Sequence, residues 1–219
     1  MALFGKEKKD EYDRDEILKA AEKAEKKGDR ARAIVEYDKV LRWEPQNFAL
    51  HSKVGALLGE AGRPADAWPH FVTAGEAYAR DGFYDKAIAV YTRAAPFLPT
   101  KVELWLSLAD LNLRRQRKAD AFKACLDGRR HFRRLEQHQQ ASQLLRRSLE
   151  IEAYHVESTL DLARLRRRTG QRDEATRLLQ GIAARNHGPT LRRIRAAQLR
   201  LRPTPASLWR WLRAAVTGK

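Results

Sequence analysis

The chain contains one cysteine, one methionine and no acidic residue after Glu174. With Cys125 alone, no internal disulfide can form and no cysteine pair can hold zinc. Cys125 occupies a position that the sequence pattern assigns to packing. We therefore expect it to be a buried structural thiol rather than a reactive one.

Long apolar runs are also missing, so no segment reaches the roughly 18 residues that a membrane span needs. The N-terminal stretch MALFGKEKKDEYDRDE becomes charged after five residues, unlike the apolar core of a signal peptide. We therefore expect a cytoplasmic protein. The six histidines are scattered without a metal-binding pair, and no phosphate-binding glycine motif occurs. These absences predict a protein that is not an enzyme and that needs no cofactor or metal.

Charge is present in abundance, and it is unevenly placed. The formal net charge is +16, yet residues 1–100 hold 17 basic and 17 acidic side chains. Residues 101–219 hold 27 basic and 11 acidic ones, and ten of the basic residues follow Glu174. A surplus confined to one part of a chain indicates an anionic partner, which could be an acidic protein surface, a membrane surface or a nucleic acid.

The sequence also repeats itself around glycines. Each repeat has a glycine, an alanine five residues later and a large residue nine residues later. The matching sets are Gly28, Ala33 and Tyr37; Gly62, Ala67 and Phe71; Gly82, Ala87 and Tyr91; and Gly170, Ala175 and Leu179. Spacing of this kind is typical of stacked helical units.

Residues 14–47 resemble a tetratricopeptide repeat, a 34-residue pair of helices. The family's signature positions 8, 20, 24 and 32 are occupied here by Ala21, Ala33, Tyr37 and Pro45. Two later sets match as well: Gly55, Ala67, Phe71 and Ala74, then Gly75, Ala87, Tyr91 and Ala94. The resemblance implies an all-α, right-handed helical-repeat solenoid of about twelve helices that binds protein partners.

A shift of 54 residues also aligns the chain with itself. It places Arg63-Pro64-Ala65-Asp66-Ala67-Trp68 on Arg117-Lys118-Ala119-Asp120-Ala121-Phe122, and Gly62 reaches Gly170 by way of Gln116. This period predicts a charged tail over 1–12, a helical hairpin over 13–47, three-helix units over 48–101, 102–155 and 156–201, and an amphipathic helix over 202–219. We expect Trp43, Trp68 and Trp105 to pack between repeats.

The best-known ligand site of the family is a clamp for two carboxylates, built from Lys and Asn at positions 5 and 9. This chain has Leu18 and Glu22 there in the first unit, and Ser52 and Ala56 in the second. Binding of chaperone tails is therefore not expected.

Arginines of the later units suggest a different site. Arg114 aligns with Arg168, and Arg164 and Arg167 lie on the same predicted helix. If these side chains face a groove, an acidic protein segment could bind there. The alternative is an exposed stripe that serves solubility.

The last segment, SLWRWLRAAVTGK, follows a Pro-Thr-Pro break. Its candidate contact residues are Trp209, Arg210, Trp211 and Arg213. Three alternatives stay open: a helix that caps the last repeat, a helix that lies on an anionic membrane, and a helix that docks in a partner's groove.

Nucleic acid is a less favoured partner, because the basic part has few aromatics able to stack on bases and no groove-reading motif. The sequence therefore predicts a protein-interaction adaptor that binds an acidic or peptide-like partner. Peripheral attachment to an anionic membrane is the alternative function, and the oligomeric state stays open.

Overall fold

The computed structural model of the protein describes residues 13–217. The predicted charged tail over 1–12 lies outside these residues. Within 13–217 the chain forms twelve α-helices, one short 3-10 helix over Leu135–Gln137 and no β-strand. The prediction of an all-α helical-repeat fold is confirmed; its right-handed twist stays a prediction.

The helices follow one another through short turns. Their bounds are α1 Arg14–Lys26, α2 Arg30–Trp43, α3 Phe48–Glu60, α4 Pro64–Arg80, α5 Tyr84–Ala94, α6 Val102–Arg114, α7 Lys118–Arg129, α8 His138–Ile151, α9 Val156–Arg168, α10 Arg172–Ala183, α11 Gly188–Leu201 and α12 Pro205–Thr217. The first helices of the three predicted units, α3, α6 and α9, begin 54 residues apart at Phe48, Val102 and Val156.

The helices belong to two compact units: one ends at Leu98 and holds α1–α5, and the other begins at Pro99 and holds α6–α12. Within each unit, helices that are adjacent in sequence pack together, as α3 does with α4 and α9 with α10. Next-nearest helices also touch, as in α3 with α5 and α9 with α11. Adjacent-neighbour packing of this kind is how repeat proteins bury apolar faces that no single hairpin could cover.

The first helix of several hairpins ends at a residue whose backbone is in the left-handed conformation, with positive φ. After α3, Gly62 has φ +73°, and the N–H of Arg63 donates to the carbonyl of Leu58 at 2.9 Å. This 6→1 bond is the Schellman motif, and glycine suits it because an added side chain would strain a positive φ. At the matching position after α6, Gln116 takes φ +58°, and Arg117 N–H donates to Asn112. The turn therefore persists where the glycine is absent.

Close packing of small against aromatic residues joins the helices of unit one. A Cβ built on Gly55 in α3 would lie 3.2 Å from the ring of Phe71 in α4. Phe71 and Tyr37 are fully buried, as are Ala33, Ala67 and Ala87. The spaced residues that identified the repeat are thus core residues, since helices approach closely only where side chains are small.

The prediction that three tryptophans pack between repeats is wrong for Trp43, which is 65% exposed at the end of α2. Trp68 is half-buried. Trp105 is buried beside Gly128, and its indole N–H donates to the carbonyl of Pro99 at 2.9 Å. Trp43 differs because it is the last residue of its helix, where the chain turns away.

The 54-residue period predicts helices over 84–97 and 118–134, and both end earlier in the structure. Helix α5 ends at Ala94 rather than at residue 97, and α7 ends at Arg129 rather than at residue 134. After α7 the chain turns so that Phe132 is buried, and Arg129 donates to the carbonyl of Phe132 at 2.8 Å. Burial of that aromatic ring favours the turn over further helix.

Candidate functional site: an arginine pocket and an exposed C-terminal helix

The second unit contains a pocket that is rimmed by arginines. Helix α9 contributes Arg164 and Arg167, and helix α11 contributes Arg193 and Arg200. Arg164 and Arg167 are three residues apart, and Arg193 and Arg200 are seven apart. Both spacings place the two side chains on one face of their helix. The pocket has a volume of about 220 Å³, enough for an amino-acid side chain rather than for a large ligand. We call it the arginine pocket.

The floor of the arginine pocket is apolar. It is formed by aliphatic and alanine side chains of α9, α10 and α11: Leu160, Ala163, Leu179, Ala196, Ala197 and Leu201. Four of these belong to the hydrophobic core of the unit, so the floor is part of rigidly packed structure. A ligand for this pocket would place an apolar group on the floor and anionic groups at the rim.

The rim carries a surplus of positive charge. Arg193 forms an ion pair with Glu157 at 2.7 Å, and this contact, chiefly through its hydrogen bond, lowers the pKa of the Glu157 carboxyl. Arg164 adds to the field that lowers this pKa. Arg164, Arg167 and Arg200 form no ion pair with any carboxylate among residues 13–217. The rim therefore has cationic groups available to an anionic ligand.

The structure brings together only part of the predicted binding set. Arg164 and Arg167 line the pocket, whereas Arg168 and Arg114 are exposed and do not line it. Arg168 is adjacent to Arg167 and so points about 100° away around α9, and Arg114 lies on α6. Sequence reasoning missed Arg193 and Arg200; their i, i+7 spacing was visible, but it does not show which helix they face.

Two other arginines of this unit serve the scaffold. Arg166 is buried and lies 3.0 Å from Glu174, which also pairs with Arg146 from α8. Arg129 pairs with Asp161 at 3.0 Å and so links α7 to α9. Not every arginine of the basic half is therefore available for a partner.

Helix α12 carries the other predicted contact residues. It begins with reciprocal hydrogen bonds, in which Ser207 N–H donates to Thr204 Oγ1 and Thr204 N–H donates to Ser207 Oγ. It packs on α11 through buried Ser207 and Ala214, and Arg192 donates to the carbonyl of Ala214 at 3.2 Å. These contacts fix the rotation of the helix.

The four candidate residues of α12 have different surroundings. Trp209 is 59% exposed, and the guanidinium of Arg213 lies 5.5 Å from its ring centroid. Arg210 is exposed and donates to the backbone carbonyl of Ala206. Trp211 is half-buried. Only Trp209 thus offers an aromatic ring on the outer face.

Unit one contains a larger hollow of about 710 Å³, lined among others by Lys53, Glu60 and Arg93. Its charges are largely paired within the unit: Lys53 lies 2.8 Å from Glu25, and Arg30 lies 3.0 Å from Glu60. The hydroxyl of Tyr37 donates to Glu25 at 2.9 Å. Although burial opposes it, hydrogen bonding to Lys53 and Tyr37 holds the pKa of Glu25 below its ordinary value. This hollow is therefore less suited to an anionic ligand than the arginine pocket.

Among residues 13–217, no group of three or more histidine, cysteine or carboxylate side chains could hold a metal ion. Cys125 is fully buried, and burial raises the pKa of its thiol to about 12. In the same part of the chain, every helix is too short or too polar to cross a bilayer.

Comparisons with known proteins agree with the repeat pattern. Residues 132–199, which include α8–α10 and most of α11, match the family described as tetratricopeptide repeat. No match is found among curated protein sequences.

Three solved structures illustrate the similarity, and two of them are described as tetratricopeptide repeat proteins. The MamA protein is 18% identical over 78% of this chain and 90% of its own, with a TM-score of 0.31. A tetratricopeptide repeat protein from Parabacteroides merdae is 15% identical over 94% and 93%, with a TM-score of 0.34. YrrB, described as a repeat protein with an unusual peptide-binding site, is 12% identical over 88% and 88%, with a TM-score of 0.28. Likeness this distant carries no argument about what this chain binds.

Proposed function

We propose that the chain is a non-enzymatic adaptor whose second unit captures an acidic segment of a protein partner. Residues 132–199 match the tetratricopeptide-repeat family, and the described residues form a helical-repeat fold. The fold supports protein interaction in general. The observation that carries the finer proposal is the arginine pocket, in which cationic groups without an ion-pair partner surround an apolar floor.

The pocket supports a particular kind of ligand. Arginine presents several N–H donors in a fixed plane, which suits carboxylates better than a compact ammonium does. The apolar floor favours a segment that carries an aliphatic or aromatic side chain beside its acidic residues, since burial of that side chain removes apolar surface from water. A free acidic chain without such an anchor would gain only the screened attraction of surface charges.

Binding would be an equilibrium process on a preformed surface. Four of the six floor residues belong to the packed core of the unit, so little ordering entropy is lost on association. The surplus of arginine would also accelerate encounter with an acidic partner, and this effect would weaken as salt rises.

The test is affinity purification from the native cell followed by mass spectrometry, with two charge-matched variants. Arg167→Glu/Arg200→Glu reverses two rim charges, and Arg168→Glu/Arg177→Glu reverses two exposed charges that do not line the pocket. We expect partners captured by the wild-type protein to be lost from the first variant and retained by the second. Equal capture by both variants would exclude the pocket as the site.

Nucleic acid is a weaker candidate, because any contact would be made to the phosphate backbone and would depend steeply on salt. A fluorescence-anisotropy titration with a labelled oligonucleotide at two salt concentrations separates the two classes of partner. No binding at low salt is the result that we expect.

A further inference from the structure

An apolar stripe on α12 faces solvent although the helix is docked. Its members are aliphatic and aromatic side chains that are between 45% and 84% exposed: Leu208, Trp209, Leu212 and Val216. At about 100° per residue they occupy one arc of about 100° on the helix surface. The buried residues Ser207 and Ala214 lie on a different side. We call this arc the α12 stripe.

The α12 stripe is not left over from poor packing. The helix is held by its capping hydrogen bonds, by the bond from Arg192 to Ala214, and by the ion pair between Arg202 and Asp173 just before it. The side that packs on α11 has small buried residues, and the outward side has the large apolar ones. Helix α12 therefore differs from an ordinary capping helix, whose outer face would be polar.

The surroundings of the stripe are cationic. Residues 188–217, which form α11 and α12, contain seven arginines and no acidic residue. Arg213 adjoins the stripe and lies over the ring of Trp209. Arg210 lies further around the helix than Arg213, away from the stripe. An apolar arc edged by arginines and containing an exposed tryptophan is the arrangement expected of a helix in the headgroup region of a bilayer.

We infer that the α12 stripe binds an anionic membrane surface, with Leu208, Trp209, Leu212 and Val216 entering the interface and Arg213, at the edge of the stripe, contacting lipid phosphates. A second copy of the chain is a poor occupant, because a symmetric contact would bring together two surfaces on which arginines outnumber the carboxylates of Glu157 and Asp173 that pair with Arg193 and Arg202. The stripe is the outer face of one helix rather than a groove, which suits a planar surface better than a partner helix. Attachment needs no release of α12 from α11.

The test is co-sedimentation of the full chain with phosphatidylcholine vesicles and with vesicles that also contain phosphatidylglycerol. The variant Leu208→Gln/Leu212→Gln/Val216→Gln removes most of the stripe without a change of charge. The matched control Val35→Gln/Trp43→Gln removes two apolar side chains of unit one that are similarly exposed. Because each of the five side chains is at least 45% exposed, we expect unchanged helicity by circular dichroism.

We expect the wild-type protein and the control to sediment with the anionic vesicles and not with the neutral ones. The stripe variant should bind at least about tenfold more weakly, the loss that corresponds to about 1.4 kcal/mol. Equal sedimentation of the stripe variant would overturn the inference, since charge alone would then explain binding. It would also be overturned if the wild-type protein did not sediment, or if it formed concentration-dependent dimers that the stripe variant lacks.

The residues changed in the stripe variant do not line the arginine pocket. The partner-capture experiment and the vesicle experiment can therefore fail separately.

Discussion

Gly75 in α4 faces Tyr91 in α5 so closely that a Cβ on the glycine would lie 2.6 Å from ring atom Cε2 of the tyrosine. The two residues are 16 positions apart, as are Gly55 and Phe71, which pack in the same way. Residues that the repeat places 16 positions apart in the sequence are therefore in direct contact between neighbouring helices.

Replacement of Gly75 by alanine should destabilise unit one. Tyr91 is buried, so its ring cannot move into solvent, and overpacking of a core costs about 1–3 kcal/mol. The midpoint of urea denaturation measures the change. Gly181→Ala is the control, because Gly181 lies inside α10 and a Cβ there meets nothing within 4 Å. That variant should be neutral or up to about 1 kcal/mol more stable. A Gly75→Ala protein as stable as the control would contradict the packing account.

Gln116→Gly should stabilise the second unit. Gln116 has φ +58°, which costs an L-residue roughly 1–2 kcal/mol, and the greater entropy of glycine in the unfolded chain offsets part of the gain. We expect a net gain of about 0.5–1 kcal/mol. Gln171, the residue after Gly170, has φ −83°, so Gln171→Gly should be destabilising. The midpoint of thermal denaturation should rise for Gln116→Gly and fall for Gln171→Gly. A change of the same sign in both variants would refute the explanation from the positive φ of Gln116.

The stability of unit one should fall as the pH is lowered through the titration range of histidine. His70 Nδ1 lies 3.1 Å from His51 Nδ1, and His51 Nε2 lies 3.2 Å from the carbonyl of Pro45. Burial, with a smaller effect of His51, lowers the pKa of His70 below 6.5, although Asp38 and Asp66 act in the other direction. The folded protein therefore binds a proton less readily than the unfolded one.

This contribution to stability is complete above about pH 6.5 and is lost as the pH falls toward the lowered value. Urea midpoints measured between pH 8 and pH 5 should decline less for His70→Gln than for the wild-type protein. The exposed His187 is the control, and His187→Gln should keep the wild-type slope. Parallel slopes in all three proteins would contradict the lowered pKa of His70.

Cys125 should not react with thiol reagents in the folded protein. The thiolate is the reactive form, and burial raises the pKa of this thiol to about 12. A chromogenic disulfide reagent at pH 8 should label the chain only when urea unfolds the second unit. Rapid labelling without urea would mean that α7 opens readily.

Helix positions were largely predictable because their causes are local. Pro64 stands in the first turn of α4, Gly28 ends the hairpin arm of α1, and both signals are visible in the sequence. The end of α7 was not predictable, because burial of Phe132 depends on a core that only the folded unit provides. The exposure of Trp43 was missed because the repeat pattern does not show that the chain turns away at this last residue of α2.

The candidate site was only half predictable. Periodicity placed Arg164 and Arg167 on one helix, but the partner face on α11, with Arg193 and Arg200, depends on how α11 rotates against α9. The stripe on α12 shows the same limit. The sequence predicts an amphipathic helix over 202–219, yet it could not show that the apolar face is turned outward while Trp211 is half-buried.

The most direct test of the central claim is a fluorescence-anisotropy titration with two labelled acidic peptides of equal charge. One repeats Glu-Glu-Leu and the other repeats Glu-Glu-Ser. We predict that the wild-type protein and Arg168→Glu/Arg177→Glu bind the leucine peptide at least about tenfold more tightly than Arg167→Glu/Arg200→Glu does, and that the serine peptide binds weakly to all three. Equal affinity of the two charge-matched variants for the leucine peptide would contradict the assignment of the arginine pocket as the binding site.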